Sequence, residues 1–190
     1  MANDKKNENT TPLQFRIATV DDAPQVAQLV EAAFRAEDSR ADWTADMELG
    51  RSFNYSTDNA LRNINNPDAE VLMGFDPHGV FAASVQVVFK PEAHMARIVL
   101  LSVNPQLQRS GVGRQALGSA EEYARQHYDI KKFGLNALSS REKLIAWYER
   151  CGYQRTGEMT PFPFVWYPHL DLPKDLCNVE LEKDATSVGA

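Results

Sequence analysis

The alternation of hydrophobic and polar positions predicts one strand and three helical segments in the first third of the chain. Leu, Phe and Ile alternate with polar residues over Leu13–Ala18, which is the period of a half-buried strand. Apolar residues then recur at helical spacing, and either Thr19 or Asp21 is expected to cap that helix. Two shorter helical stretches are predicted around residues 46–53 and 58–63.

Three strand-like runs follow, and the short turns between them predict an antiparallel meander. The runs are Glu70–Phe75, Gly79–Phe89 and Ala93–Val103. The residues Asp76-Pro-His-Gly79 and Lys90-Pro-Glu92 separate them and have the composition of tight turns. Strands joined by such short connections pair antiparallel.

The second half of the chain returns to alternating helices and strands. Apolar positions spaced three and four apart predict a helix over residues 112–128, and Lys132–Leu138 predicts a strand parallel to the run before that helix. Ser139, with Glu142 three residues later, matches a capping box that opens another helix, which Gly152 ends. Later segments predict a strand that begins over 153–156, an ordered loop over 160–174 and a last strand over 178–182.

The composition places this chain among single-domain globular proteins. Its 190 residues suffice for one domain with a substantial core, which we expect to span residues 13–183 between disordered tails at 1–12 and 184–190. The formal charge of −6 argues against a nucleic-acid partner. No apolar segment has the length of a membrane span, and the polar N-terminus does not resemble a secretory signal, so we expect a cytoplasmic protein.

The cysteines and histidines give no indication of a disulfide framework or a metal site. Cys151 and Cys177 are the two cysteines of the sequence, and they are far apart. The four histidines lack the spacing of metal ligands, so we expect no structural metal.

The stretch Leu100–Leu117 carries the strongest chemical signal. A predicted strand, a loop with two glycines and a predicted helix follow one another there. Gly111 and Gly113 allow the backbone to approach a ligand closely, and the first N–H groups of a helix favour phosphate. Arg109 and Arg114 add positive charge to an otherwise acidic protein. The pattern predicts a pyrophosphate-binding loop.

Two patterns compete for this loop. Residues 111–116 match the G-x-G-x-x-A fingerprint of nicotinamide dinucleotide enzymes, although seven residues separate the strand from the glycines. The longer pattern Val-x-Pro-x-x-Gln-x-x-Gly-Val-Gly-x-x-x-Leu over Val103–Leu117 resembles motif A of the GNAT superfamily of N-acetyltransferases. The segment Tyr148-Glu-Arg-Cys-Gly152-Tyr153 is similar to motif B of the same superfamily.

The resemblance implies a mixed α/β fold, a single GNAT-like domain of order β-α-α-β-β-β-α-β-α-β-β with splayed fourth and fifth strands. It also implies acetyl-CoA as co-substrate and transfer of an acetyl group to a primary amine, more plausibly of a small molecule than of a protein. The residues expected to contact acetyl-CoA are Leu101, Ser102, Val103, Gln108, Arg109, Ser110, Gly111, Val112, Gly113, Arg114, Asn136, Arg141 and Tyr148.

Within that resemblance, Tyr148 is the expected general acid and a backbone N–H near Leu101 the expected oxyanion donor. A phenol has an ordinary pKa near 10, so it is protonated at neutral pH and can donate to a departing thiolate. The family often has Asn where this chain has Arg141, and either Arg141 or Asn136 could serve in its place.

The general base and the acceptor pocket are less defined by the sequence. The predicted fourth strand contains no carboxylate, which leaves a water relay or an acid among Glu37, Asp38, Asp42 and Glu48. Aromatic residues are the candidates for the acceptor pocket, namely Trp43, Phe162, Phe164 and Trp166. The rival functions are a non-catalytic acyl-CoA sensor of the same fold and an NAD-dependent oxidoreductase, and a homodimer through the last strands is possible.

Overall fold

One mixed sheet of seven strands organises the computed structural model, which describes residues 12–36 and 47–186. The strands are β1 (Gln14–Ile17), β2 (Ala69–Phe75), β3 (Phe81–Lys90), β4 (Met95–Val103), β5 (Lys132–Leu138), β6 (Gln154–Pro161) and β7 (Cys177–Asp184). The helices are α1 (Ala23–Arg35), α2 (Met47–Ser52), α3 (Thr57–Ile64), α4 (Val112–His127) and α5 (Glu142–Arg150).

The strand order in the sheet is β1-β2-β3-β4-β5-β7-β6. The strands β2, β3 and β4 form the predicted antiparallel meander, and β4 and β5 are parallel, as predicted from the helix that joins them. The remaining neighbours pair antiparallel. The predicted mixed α/β class is confirmed, and the three helical segments predicted between β1 and β2 are present, one more than in the family order.

Helices cover both faces of the sheet and bury two main apolar clusters. On one face, α4 and α5 pack Leu117, Ala120 and Ile145 against Phe133 and Leu181 of the strands. The opposite face is covered by α1 and α3, which contribute Val26, Val30 and Ala60 to a cluster with Val71 and Met73. Strand β2 contributes to both layers, with Leu72 in the first cluster and Val71 and Met73 in the second, as expected for a sheet between helices.

A buried ion pair links α4 to β7 within the first cluster. The Lys183 ammonium lies 2.7 Å from Glu121 Oε2, and both side chains are about 5% exposed. The Tyr153 hydroxyl donates to the other Glu121 oxygen at 3.0 Å. Burial of two opposite charges is tolerated because each is paired and hydrogen-bonded.

Two local predictions in the second half are wrong. Ser139 does not cap α5: the N-cap is Arg141, and Ser139 instead pairs with β7, its N–H donating to the Cys177 carbonyl at 2.8 Å. The loop does not begin at residue 160, because the strand predicted to begin over 153–156 continues to Pro161 through a bulge at Gly157, where φ is +86°. All of β6 is exposed at the sheet edge, so it lacks the apolar alternation that marks a strand.

The C-terminal boundary also lies later than the sequence indicates. Ala185, which the sequence places in the tail, is buried and donates its N–H to the Lys131 carbonyl at 2.9 Å. The rest of the two predicted tails, residues 1–11 and 187–190, falls outside the described residues.

Candidate active site

The strands β4 and β5 pair at one end and then part. Their register runs over Met95–Arg97 against Lys132–Gly134, although β4 continues to Val103 and β5 to Leu138, all within the described residues. Beyond Arg97 the facing edges of the two strands do not hydrogen-bond each other. Backbone N–H and C=O groups along this gap are available to an extended ligand that carries amides.

A β-bulge in β4 lies beside the gap. Two residues, Leu100 and Leu101, oppose the single residue Val85 of β3, and Leu100 has φ +51°, a rare value for a branched side chain. The buried Ser102 hydroxyl donates to the Leu100 carbonyl at 3.0 Å and so satisfies a group that the bulge removes from the ladder. The bulge bends β4 at the point where it has left β5.

The loop between β4 and α4 brings the two glycines to the same end of the gap. Asn104 begins a short turn over Pro105–Leu107, and Gly111 then takes φ +81° as the N-cap of α4. The first N–H that bonds back to the preceding turn is that of Arg114, to the Gly111 carbonyl at 3.1 Å. Helix geometry leaves the N–H groups before it without an intrahelical acceptor.

Gly113 is enclosed by the other two elements of the site. A Cβ placed on it would lie 3.6 Å from Val103 Cγ2 and 3.8 Å from the Trp147 ring. Trp147 was not predicted as a site residue, although it precedes Tyr148 in the motif B segment. The start of α4, the end of β4 and α5 therefore meet around this residue.

The charged and polar loop residues line the outside of this junction. Arg109, Ser110 and Arg114 are exposed and Gln108 is half-buried, whereas Val112 is buried against Ala83 and Ala116. The Ser110 hydroxyl donates to the Leu107 carbonyl. Two arginines on a helix N-terminus create a local positive field in an acidic protein.

Tyr148 projects from α5 into the first apolar cluster, on the sheet face that α4 and α5 cover. Its side chain is 8% exposed and contacts Trp147 and Tyr153. Burial raises the pKa of the Tyr148 phenol to about 12, partly offset by the positive charge of Arg141.

Asn136 lies on the opposite face of the sheet, with groups that sequence reasoning missed. Its amide donates to Glu180 Oε1 at 3.0 Å, Thr160 donates to the same oxygen at 2.7 Å, and Arg97 donates to Glu180 Oε2 at 2.9 Å. Burial alone would raise the pKa of Glu180, but these three donors and the charge of Arg97 lower it. The sequence signal that could have found Glu180 was the alternation of glutamates with Val179 and Leu181, which places the glutamates on one face of the last strand.

The sequence matches the model of a known protein family. The model of the acetyltransferase (GNAT) family matches residues 26–153, more than half of the chain. The chain belongs to the acetyltransferase (GNAT) family. It is therefore an acyltransferase of the N-acetyltransferase type, and members of the family use acetyl-CoA as co-substrate.

Solved GNAT structures share the fold at low sequence identity. A spermidine N-acetyltransferase chimera of SpeG from Vibrio cholerae and hSSAT has a TM-score of 0.68 and 14% identity, with 93% of this chain and 97% of that chain covered. The ribosomal-protein-S18-alanine N-acetyltransferase from Escherichia coli has a TM-score of 0.65 and 15% identity, with 93% of this chain and 96% of that chain covered. The IAA acetyltransferase from Bacillus cereus has a TM-score of 0.63 and 14% identity, with 90% of this chain and 99% of that chain covered. A search of curated protein sequences gave no significant match.

Several features of this GNAT chain fit the co-substrate. Gly113 leaves room that a side chain would fill, and the unpaired edges of β4 and β5 suit a ligand with amide groups. The Ser140 hydroxyl, at the turn into α5, is buried and has no partner among the described residues. In contrast, the glycines do not follow β4 directly, and the sheet is not doubly wound, so the dinucleotide pattern lacks its structural context.

The predicted acceptor residues of the GNAT chain lie in different environments. Phe162 is buried with Leu172 and Leu176 in a small cluster that Leu49 and Leu138 also contact. Trp166 is 73% exposed and Phe164 is 38% exposed on the short turn beside it. Glu48 is exposed on α2, whereas Trp43, Glu37, Asp38 and Asp42 lie outside the described residues.

The described part of the chain has neither a metal-ligand cluster nor a membrane-spanning helix. Over residues 12–36 and 47–186, no three His, Cys, Asp or Glu side chains are grouped so that they could hold a metal ion. In the same residues no helix is both long and apolar enough to cross a membrane.

Proposed function

We propose that this GNAT protein transfers the acetyl group of acetyl-CoA to the primary amine of a small molecule by direct attack. The observation that carries the proposal is the gap between β4 and β5, which has the Gly111–Gly113 loop at one end and Tyr148 beside it. The amine nitrogen attacks the thioester carbonyl, the tetrahedral oxyanion collapses, and the C–S bond breaks. The nitrogen loses a proton and the thiolate gains one.

The loop at the start of α4 holds the pyrophosphate of acetyl-CoA in this proposal. Backbone N–H groups of residues 108–113 donate to it, and Arg109 and Arg114 add charge. The peptide groups of Leu101 and Val103 pair with the amides of the pantetheine arm, and Trp147 and Ser140 lie beside the arm. Arg141 contributes from the first turn of α5.

Tyr148 then donates the proton to the departing thiolate. Its raised pKa keeps the phenol protonated over the whole physiological range. A thiolate formed in the same apolar surroundings is also destabilised by desolvation, so its pKa rises as well and the transfer stays feasible. The oxyanion is stabilised by a backbone N–H at Leu101, next to the bulge.

The environment of Cys151 supports direct attack over a covalent acetyl-enzyme. Burial is the main cause that raises the pKa of the Cys151 thiol, so it is a poor nucleophile at neutral pH. β4 carries no carboxylate, and a water relay therefore serves as the route for the amine proton.

We place the acceptor on the sheet face that carries Asn136, opposite α4 and α5. The polar groups around Glu180 and the apolar cluster around Phe162 border that region, and Trp166 lies at its surface. The net charge of −6 favours a cationic, partly apolar amine. Two of the similar structures are enzymes named for spermidine and for a ribosomal protein, so both acceptor classes belong in the assay.

A thermal-shift titration with acetyl-CoA, CoA and NADH in parallel tests the binding step. A ligand at about 100 times its Kd stabilises the folded state by about 2.7 kcal/mol, which is several degrees for a domain of this size. We expect a shift with acetyl-CoA and CoA but not with NADH. Absence of a shift with acetyl-CoA would overturn the proposal.

Release of CoA with a panel of amines and peptides tests the transfer step. Turnover of small amines supports the proposal, and acetyl-CoA binding without turnover of any acceptor would favour the sensor. A homodimer through the exposed β6 edge stays a prediction, and sedimentation velocity measures it.

A further inference from the structure

A side-chain hydrogen bond links β4 to β7 across β5 at the point where β4 and β5 separate. Arg97 is the last residue of β4 that pairs with β5, opposite Gly134. Its guanidinium crosses that glycine, since a Cβ on Gly134 would lie 3.6 Å from Arg97 Nη1. It then donates to Glu180 of β7 at 2.9 Å.

The point where β4 and β5 separate, at Arg97 and Gly134, is called the fork. Glu180, which accepts this bond, lies on the side of the fork where the two strands are no longer paired. Glu180 is opposite Asn136 in the pairing of β5 with β7, two residues past the last β4–β5 pair. The carboxylate is 13% exposed, and its other oxygen is fixed by Asn136 and Thr160. The arginine therefore reaches diagonally over β5 to an acceptor that cannot move freely.

We propose that Arg97 and Glu180 are positioning residues that fix where β4 and β5 separate, and so fix the width of the gap that receives acetyl-CoA. The inference rests on the proposed function. The ion pair joins β4 to β7 across the backbone at Gly134, where β5 has no side chain of its own. Small shifts of backbone groups that align a bound substrate lower both affinity and rate.

A second ion pair on the same face provides a matched control. Lys132 lies 2.8 Å from Glu182, with side chains 38% and 35% exposed. It joins β5 to β7 and does not reach β4. Arg97→Met and Lys132→Met each remove one cross-strand ion pair, but only the Arg97 pair spans the point where β4 and β5 separate.

The experiment compares Arg97→Met and Glu180→Gln with Lys132→Met and Glu182→Gln in the full chain. Isothermal titration gives Kd for acetyl-CoA, and steady-state kinetics give KM for the amine and kcat. We expect Kd for acetyl-CoA to rise about tenfold in the first two variants and less than twofold in the controls. Arg97→Lys, which keeps the charge, should recover part of the affinity.

The outcomes separate this inference from the proposed function. If the wild-type protein binds no acetyl-CoA, both fail. If it binds and transfers, but Arg97→Met and Glu180→Gln match the controls in Kd and kcat/KM, the positioning role alone is refuted. A rise confined to KM for the amine would also refute it, because it would make Arg97 an acceptor contact. If Arg97→Met does not fold, the isosteric Glu180→Gln decides.

Discussion

Gly113→Ala is the sharpest single change for testing the acetyl-CoA loop. The added methyl would meet Val103 and Trp147 at 3.6–3.9 Å, which is ordinary van der Waals contact, so the fold accepts it. Alanine is also the better helix former, by up to about 1 kcal/mol in a helix interior and less in a first turn. We therefore expect the free energy of unfolding to stay level or rise slightly.

The same methyl occupies the space through which a ligand would approach the first N–H groups of α4. Displacing a phosphate from one charge-assisted hydrogen bond costs about 1.5–3 kcal/mol. That cost corresponds to a Kd for acetyl-CoA raised by about 10- to 100-fold. Isothermal titration measures the affinity, and urea unfolding measures the stability of the same sample.

Gly118→Ala is the matched control, because Gly118 lies on the same helix and a Cβ there would meet nothing within 4 Å. It should stabilise the protein and leave Kd unchanged. Gly111→Ala is less informative, since φ at Gly111 is +81° and a Cβ there costs about 1–2 kcal/mol of folding free energy. Wild-type affinity in a folded Gly113→Ala protein would refute the placement of the pyrophosphate.

Three further predictions concern Tyr148 and the buried ion pair. Tyr148→Phe should lower kcat by about 10²-fold with Kd for acetyl-CoA unchanged, and unchanged kcat would show that another group is the acid. The pKa of Tyr148 is about 12 in the folded protein and about 10 in the unfolded chain. The stabilisation that the protonated phenol gives the folded state is therefore fully present below pH 10 and is lost as the pH rises through 12. Urea unfolding at pH 11 should therefore show a loss of stability about 1 kcal/mol smaller in Tyr148→Phe than in wild type. Lys183→Met removes the nearest cation from the buried Glu121 carboxylate, which is left with Tyr153 as a donor and Arg125 at 3.6 Å, and should cost about 3 kcal/mol. Adding Glu121→Met should restore part of that loss, and additive losses in a double-mutant cycle would contradict the coupling.

The site divides into a part that local sequence encodes and a part that depends on neighbouring strands. The loop around Gly111 and the position of α4 follow from residues adjacent in the chain, and both were predictable. The splaying of β4 and β5 was implied by the family resemblance, but the position of the bulge at Leu100 was not predictable, because a leucine with positive φ has no sequence signature and is held by pairing with β3. Ser139 was misassigned for a similar reason, since its capping pattern is local but its partner Cys177 belongs to β7.

What the sequence alone determined about this protein was the order of its strands and helices, the parallel arrangement of β4 and β5, and the glycine loop. The spacing of hydrophobic residues and the backbone freedom of glycine are local properties, so they can be recognised from a single sequence. Tertiary structure alone decided that β4 and β5 separate at Arg97, which side chains surround Glu180, and what surrounds Trp147. Arg97 and Glu180 are 83 residues apart and meet only because β7 inserts between β5 and β6. Contacts of that kind are set by which strands become neighbours in the sheet, and no local pattern records them.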